Sequence, residues 1–189
     1  IAHLLTIKKG RVFMHIIIDG YNLIRQSDHL RRAEKFTLEE GRHALIRFLI
    51  PYRERKGHRL TVVFDGWDGG SFQEERDREG GIDIIYSRKG EKADDLIKRM
   101  AERSGDEMVV VTSDRDIGHF VERCGSTVVD SQTFEGIVAG DLPPSSSPSY
   151  GHVIADKEDD DLSQGTKKKG QAKKTSRRER EYNKRLVKL

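Results

Sequence analysis

The chain has one cysteine, Cys124, in 189 residues. A single thiol excludes an internal disulfide and suits a reducing compartment, where it reads as a core residue. No apolar run approaches the roughly 18–20 residues of a membrane span. The opening stretch lacks a signal-peptide h-region and a small-residue cleavage site. The expectation is a cytoplasmic protein with no membrane partner. There is no GxxxxGK[ST] loop and no GxGxxG, so neither a Walker phosphate site nor a dinucleotide site is supported, and no nucleotide cofactor is expected. No serine elbow or Cys–His pair stands at useful spacing, and the seven histidines form no metal-spaced cluster. Nucleophilic serine or cysteine chemistry and a zinc site are therefore not supported.

Hydrophobic content is 34%, below the globular average, and charged content is 35%, above it. The shortfall is uneven. Residues 14–139 hold almost all the strong apolar runs, enough for one core. From Asp141 onward there are twelve Lys/Arg against eight Asp/Glu, so the basic excess sits there and the rest is near neutral. Met14 is the first methionine and directly precedes the first apolar run. Residues 1–13 therefore read as a non-native or disordered leader, with an extra strand at Leu4–Ile7 as the alternative.

HIIIDGYN, from His15 to Asn22, organises the rest of the chain. His15–Ile18 reads as a short buried strand ending at Asp19, with Gly20 turning the chain. Arg25–Phe36 is charged and reads as an exposed connection. Thr37, with Glu40 three residues on, forms a capping box for a helix that Gly57 ends. Leu60–Phe64 is a second strand without alternation, as in parallel sheets covered on both faces. Gly66–Gly81 reads as a loop, Ile82–Tyr86 as a strand and Ala93–Arg103 as a helix. Met108–Val111 is a strand, Asp116–Arg123 a helix and Thr127–Val129 a strand. Ser131 caps a last helix, Thr133–Val138. This alternation predicts a three-layer α/β/α, Rossmann-like domain over 14–139 with a mostly parallel central sheet.

Beyond Gly140 the composition changes. DLPPSSSPSYG reads as a linker, KEDDD as an acidic run and KKKGQAKKTSRRER as a basic one. Such a segment buries too little apolar surface to offset chain entropy, so 140–189 is expected to be a disordered linker and basic tail. The final REREYNKRLVKL has the makings of a helix formed on binding. Lys167, Lys168, Lys169, Lys173, Lys174, Arg177 and Arg178 suit attachment to nucleic-acid phosphate by counterion release. Removing the segment from Gly140 is expected to weaken salt-sensitive binding and leave the chemistry intact. Arg88, Lys89 and Lys92, just before an acidic helix start, suit phosphate contact or a solvated loop. Arg115 stands between two acids and joins the nucleic-acid-binding candidates. Tyr21 and Trp67 suit base stacking or core packing.

Several acids fall at matching places. Asp19 ends the first strand, Asp94 and Asp95 open a helix, and Asp114 and Asp116 follow the fourth strand. Strand ends and the starts of following helices share one edge of a parallel sheet, where ligands bind. Crowded carboxylates take up protons unless a cation lies among them. Oxygen donors without His or Cys select Mg²⁺ or Mn²⁺, and such a site suits phosphoryl chemistry. Asp65, after the second strand, has the same topology but reads equally well as a turn residue.

IDGYNLI, VVFDG, the KADD segment and VVVTSD, in this order, resemble the NYN domain family in its YacP-like branch, related to PIN-domain and FLAP-type nucleases. The resemblance covers residues 14–139 and does not extend to the basic tail. It implies a PIN-like fold and a metal-dependent endoribonuclease acting on RNA, with 5′-phosphate and 3′-hydroxyl products. It implies that Asp19, Asp94 and Asp114 are metal-site acids and Asp116 a fourth, with Asp94 and Asp95 both standing at the second position. It implies that Asn22 holds water or phosphate near the metal. RNA, and the ribosome beyond it, are the expected partners, in RNA processing or mRNA decay. The rival readings are a structure-specific DNA nuclease, a phosphatase, and a non-catalytic RNA- or ribosome-binding module.

Overall fold

A computed structural model describes residues 13–66, 73–104, 108–140 and 177–189. The order is β1 (His15–Asp19), α1 (Gly20–Gln26), α2 (Asp28–Glu34), α3 (Leu38–Lys56), β2 (Arg59–Phe64), β3 (Glu75–Glu79) and β4 (Ile82–Tyr86). Then come α4 (Ala93–Ser104), β5 (Met108–Val111), α5 (Arg115–Arg123), β6 (Thr127–Val129), α6 (Ser131–Ala139) and α7 (Arg177–Leu186). The six strands form one sheet in the order β3-β4-β2-β1-β5-β6. All neighbours are parallel except β3 and β4. This is the expected α/β class.

Successive strand side chains point to opposite faces, and both faces are covered. Ile16, Ile18, Val62, Phe64, Val109 and Val111 pack with Leu23, Leu45, Leu49, Tyr52 and Phe134 from α1, α3 and α6. Ile17, Val63, Ile85 and Val110 pack with Leu96, Ile97, Ile117 and Val121 from α4 and α5. That two-sided burial explains the unbroken apolar runs. Thr37 accepts the Glu40 N–H and starts α3, and Gly57 ends it at φ 75°. Both caps were legible in the sequence.

Five expectations need correction. The Arg25–Phe36 stretch is not an exposed connection: it completes α1 and forms α2. Ser27 joins the two helices, its hydroxyl accepting the Leu30 N–H while its own N–H returns to Leu23 and Ile24. Each helix has seven residues, too few to display a helical period among so many charges. The Gly66–Gly81 loop contains β3, an edge strand of five charged residues paired antiparallel with β4. A charged edge strand has no apolar alternation to reveal it. Asp130, not Ser131, caps α6, accepting the Thr133 N–H at 2.9 Å.

Gly20 does not form a separate turn after β1; it opens α1. A Cβ there would lie 2.3 Å from the Phe64 ring, so the glycine serves close packing.

The fifth correction concerns the end of the chain. Residues 177–186 form α7, and Leu186 and Leu189 are each 1% exposed. The Tyr52 hydroxyl donates to the Leu189 carbonyl at 3.0 Å, and Arg185 donates to Thr127 Oγ1 at 2.7 Å. Tyr182, Leu186 and Leu189 are spaced as one helical stripe, which the basic average composition conceals. The described part of the tail therefore packs on the domain. The Leu4–Ile7 strand, the leader, Trp67, the linker and Lys167, Lys168, Lys169, Lys173 and Lys174 lie outside the described residues.

Candidate active site

After β1 the chain builds the sheet on one side through β2, and later on the other side through β5. The crevice beyond the carboxyl ends of β1 and β5 is thus the switch point at which such sheets bind ligands. An open cleft of about 220 Å³ lies there. Asp19, Asp94 and Asp114 line it, with Tyr21, Asn22, Arg25 and Gln26 from α1.

Asp19 is 7% exposed and caps α1. Its Oδ1 accepts the Asn22 N–H at 3.2 Å, and its Oδ2 accepts the Thr112 hydroxyl at 3.2 Å. Burial, with smaller contributions from the charges of Asp94 and Asp65, pushes its pKa up to about 6 against those two hydrogen bonds. Asp94, half-buried in the first turn of α4, is also pushed up, first by burial and then by Asp114 and Asp65. Asp114 caps α5, its Oδ1 accepting the N–H groups of Asp116 and Ile117 at 2.8 and 3.1 Å. The capping role and the place in the cleft coexist.

Among the described residues, the remaining acidic and cationic candidates fall outside the cleft lining. Asp95 is exposed on α4, so the structure brings Asp94 rather than Asp95 to the cleft. Asp116 is exposed in the first turn of α5 and does not line it. Asp65 accepts the Ala93 N–H at 2.6 Å and so ties the end of β2 to the start of α4. Gly66 makes that turn possible, because a Cβ there would meet the Ser87 carbonyl oxygen at 2.0 Å. Arg88 is exposed and pairs with Glu91 at 3.1 Å, while Lys89, Lys92 and Arg115 are exposed. Arg177 and Arg178 lie at the start of α7.

Asn22 lines the cleft, and its amide oxygen is engaged by the protein itself. Asn22 Oδ1 accepts the Ser113 N–H at 2.9 Å and the Ser131 hydroxyl at 2.8 Å. It fastens α1 to the β5–α5 turn and to α6. Thr112, Ser113 and Ser131 were missed as supporting residues. No short motif marks them; the signal was the TSD end of β5, where a hydroxyl precedes a capping acid.

Among the described residues, no three His, Cys, Asp or Glu side chains form a ready-made metal site. The donor chemistry at the cleft nevertheless fits a hard divalent cation. The three carboxylates come without His or Cys, two of them resist ionisation, and each Asp19 oxygen keeps a lone pair beyond its hydrogen bond.

Comparison with known proteins agrees with this architecture. The YacP-like NYN domain model matches residues 16–187. The uncharacterized protein YacP of Bacillus subtilis strain 168 is 29% identical over 87 residues, covering 46% of this chain. The match spans about half of that relative, 51% of its length. The crystal structure of a mutant of Rae1 (YacP) from Bacillus subtilis superposes with a TM-score of 0.58 at 23% identity, covering 68% of this chain and 77% of that one. A second crystal structure of Rae1 (YacP) gives a TM-score of 0.55 at 23% identity, covering 67% and 74%. Among the described residues no helix is long and apolar enough to cross a membrane.

Proposed function

The chain belongs to the YacP-like NYN domain family, a nuclease-type domain, and on that premise we propose that it is a metal-dependent endoribonuclease. It hydrolyses phosphodiester bonds within RNA, and Asp19, Asp94 and Asp114 hold Mg²⁺ or Mn²⁺. The observation that carries the reading is the meeting of these three acids, from three separate elements, in one cleft at the switch point.

A cation held by Asp19, Asp94 and Asp114 would supply positive charge at the scissile phosphate and ease deprotonation of the attacking water. The chain's own groups preorganise the site. The Asn22 N–H and the Thr112 hydroxyl fix the rotamer of Asp19. Two helix N–H groups fix one oxygen of Asp114 and leave the other for a ligand. Asp65 sets the position of α4 and thereby of Asp94. Asp116, exposed in the first turn of α5, takes the role of orienting water. Attack is in line, leaving a 5′-phosphate and a 3′-hydroxyl.

The test is a cleavage panel on the full chain: single-stranded RNA, flap DNA and a simple phosphate ester, in Mn²⁺, in Mg²⁺ and in EDTA. RNA should be cut internally only with cation present, and Asp19→Asn should abolish cutting. Preference for flap DNA, or wild-type rates from Asp19→Asn, would sink the assignment.

A further inference from the structure

The cleft poses an electrostatic problem for any polyanionic substrate. Three carboxylates line it, and among the described residues a single cationic side chain, Arg25, lines it with them. We propose that Arg25 is the phosphate-binding residue of this cleft, gripping the backbone of the substrate strand beside the carboxylates; the inference rests on the nuclease reading above.

Arg25 lies one helical turn beyond Tyr21 on α1, and both side chains line the cleft. Its guanidinium sits 5.4 Å from the centroid of the Tyr21 ring. Its Nε stands 3.7 Å from Glu34 Oε1, with the Arg25 side chain 66% exposed. The Tyr21 ring is itself held, its hydroxyl accepting from Arg42 at 3.1 Å and its edge packed on Phe64. Ring and carboxylate thus steady the guanidinium on the α1 wall, and its ion pair is with Glu34 rather than with the acids of the cleft. A guanidinium held in this way loses little freedom when it meets a phosphate, and its planar fork matches two phosphate oxygens. A lysine would offer the charge without the fork. A contact to phosphate positions the strand without reading its bases, so it acts alike on all sequences.

The probe is a fluorescein-labelled single-stranded RNA, and the readout is anisotropy with the full-length Asp19→Asn protein across a salt series. Arg25→Ala in that background should weaken binding by about three- to tenfold and lower the salt slope by about one. Arg25→Lys should restore the salt slope but only part of the affinity. Arg47→Ala, an equal charge change on the exposed face of α3, should leave both near the parent. Equal affinity and slope for Arg25→Ala and the parent would overturn the subsite alone. Failure of the parent itself to bind RNA at any salt would remove the subsite together with the nuclease reading. Thermal melting of the variants should match the parent, since Arg25 is largely exposed.

Discussion

Thr112 donates its hydroxyl hydrogen to Asp19 Oδ2 at 3.2 Å, and the same hydroxyl oxygen accepts the Asp114 N–H at 3.1 Å. One fully buried side chain therefore sets the spacing of two acids that arrive on different strands. Thr112→Val keeps the shape and removes both bonds. RNA cleavage should fall by roughly 10–100-fold, the usual effect of removing a partner of a metal-ligating group. Stability should drop by about 1–2 kcal/mol, and Thr112→Ser should recover most of the rate. Single-turnover cleavage and urea unfolding give the two readouts.

Asp19→Asn separates stability from chemistry. Asparagine is a good N-cap and keeps the bond from the Asn22 N–H through its one amide oxygen, while its NH2 group stands where Oδ2 accepted from Thr112, so that single hydrogen bond is given up. Removing a buried carboxylate whose pKa is pushed up to about 6 also relieves strain at neutral pH. In EDTA at pH 8 the variant should be more stable than the wild type, by on the order of 1–3 kcal/mol, while cutting no RNA. A lower melting temperature in EDTA would contradict the electrostatic account.

Asn22→Ala should damage the fold more than a surface change does. It leaves the Ser113 N–H and the buried Ser131 hydroxyl without their shared acceptor. The expected loss is about 2–3 kcal/mol. If Asn22→Ala melted like the wild type yet lost all activity, the residue would act on the substrate directly rather than as a clamp.

Two histidines predict how stability varies with pH. His58 is 4% exposed, with Nδ1 facing the Met14 N–H at 3.4 Å and Nε2 facing the Lys188 carbonyl at 3.0 Å. Burial holds its pKa below the ordinary value, and burial followed by the Arg59 charge lowers that of His15 to about 4. Between roughly 6.5 and 4 the unfolded chain binds more protons at His15 than the fold does, and the lowered pKa of His58 acts with the same sign as pH falls below its ordinary value. Their contribution is therefore complete above that window and is lost as pH falls through it. Asp19 has the opposite sign, because its raised pKa favours the fold when protonated. The slope should therefore steepen in Asp19→Asn, and His58→Gln in that background should reduce it by up to about 1.4 kcal/mol per pH unit. Chemical denaturation at several pH values, in EDTA, measures this.

Leu186→Ala should destabilise the domain by about 2–4 kcal/mol, read by thermal unfolding. Ending the chain at Gly140 should do more. It strips Leu186 and Leu189 from the core and leaves Tyr52 and His58 without their carbonyl partners. The expectation that such a truncation leaves the chemistry untouched gives way to a lowered melting temperature, with cleavage retained only well below it.

Much of this architecture was legible residue by residue. HIIID, LTVVF and MVVV read as buried parallel strands because both faces of each are covered. Thr37 and Gly57 bracketed α3 because capping is local. α1, α2 and β3 escaped because short or edge elements carry too few apolar positions to set a period. The choice between Asp94 and Asp95 could not be read, since neighbours on a helix differ only in where the helix is rotated against the sheet.

The sequence by itself determined the alternation of strands and helices, the two-sided core, and acids at several strand ends. Those properties follow from local patterning and from which residues avoid water. Tertiary structure decided which acids share the cleft, that the Asn22 amide oxygen ties α1 to the β5–α5 turn and α6, that Arg25 lines the cleft with the carboxylates and that Leu186 closes the core. Each of these depends on contacts between segments tens of residues apart, where the packing of whole elements, not any local preference, sets the direction of a side chain.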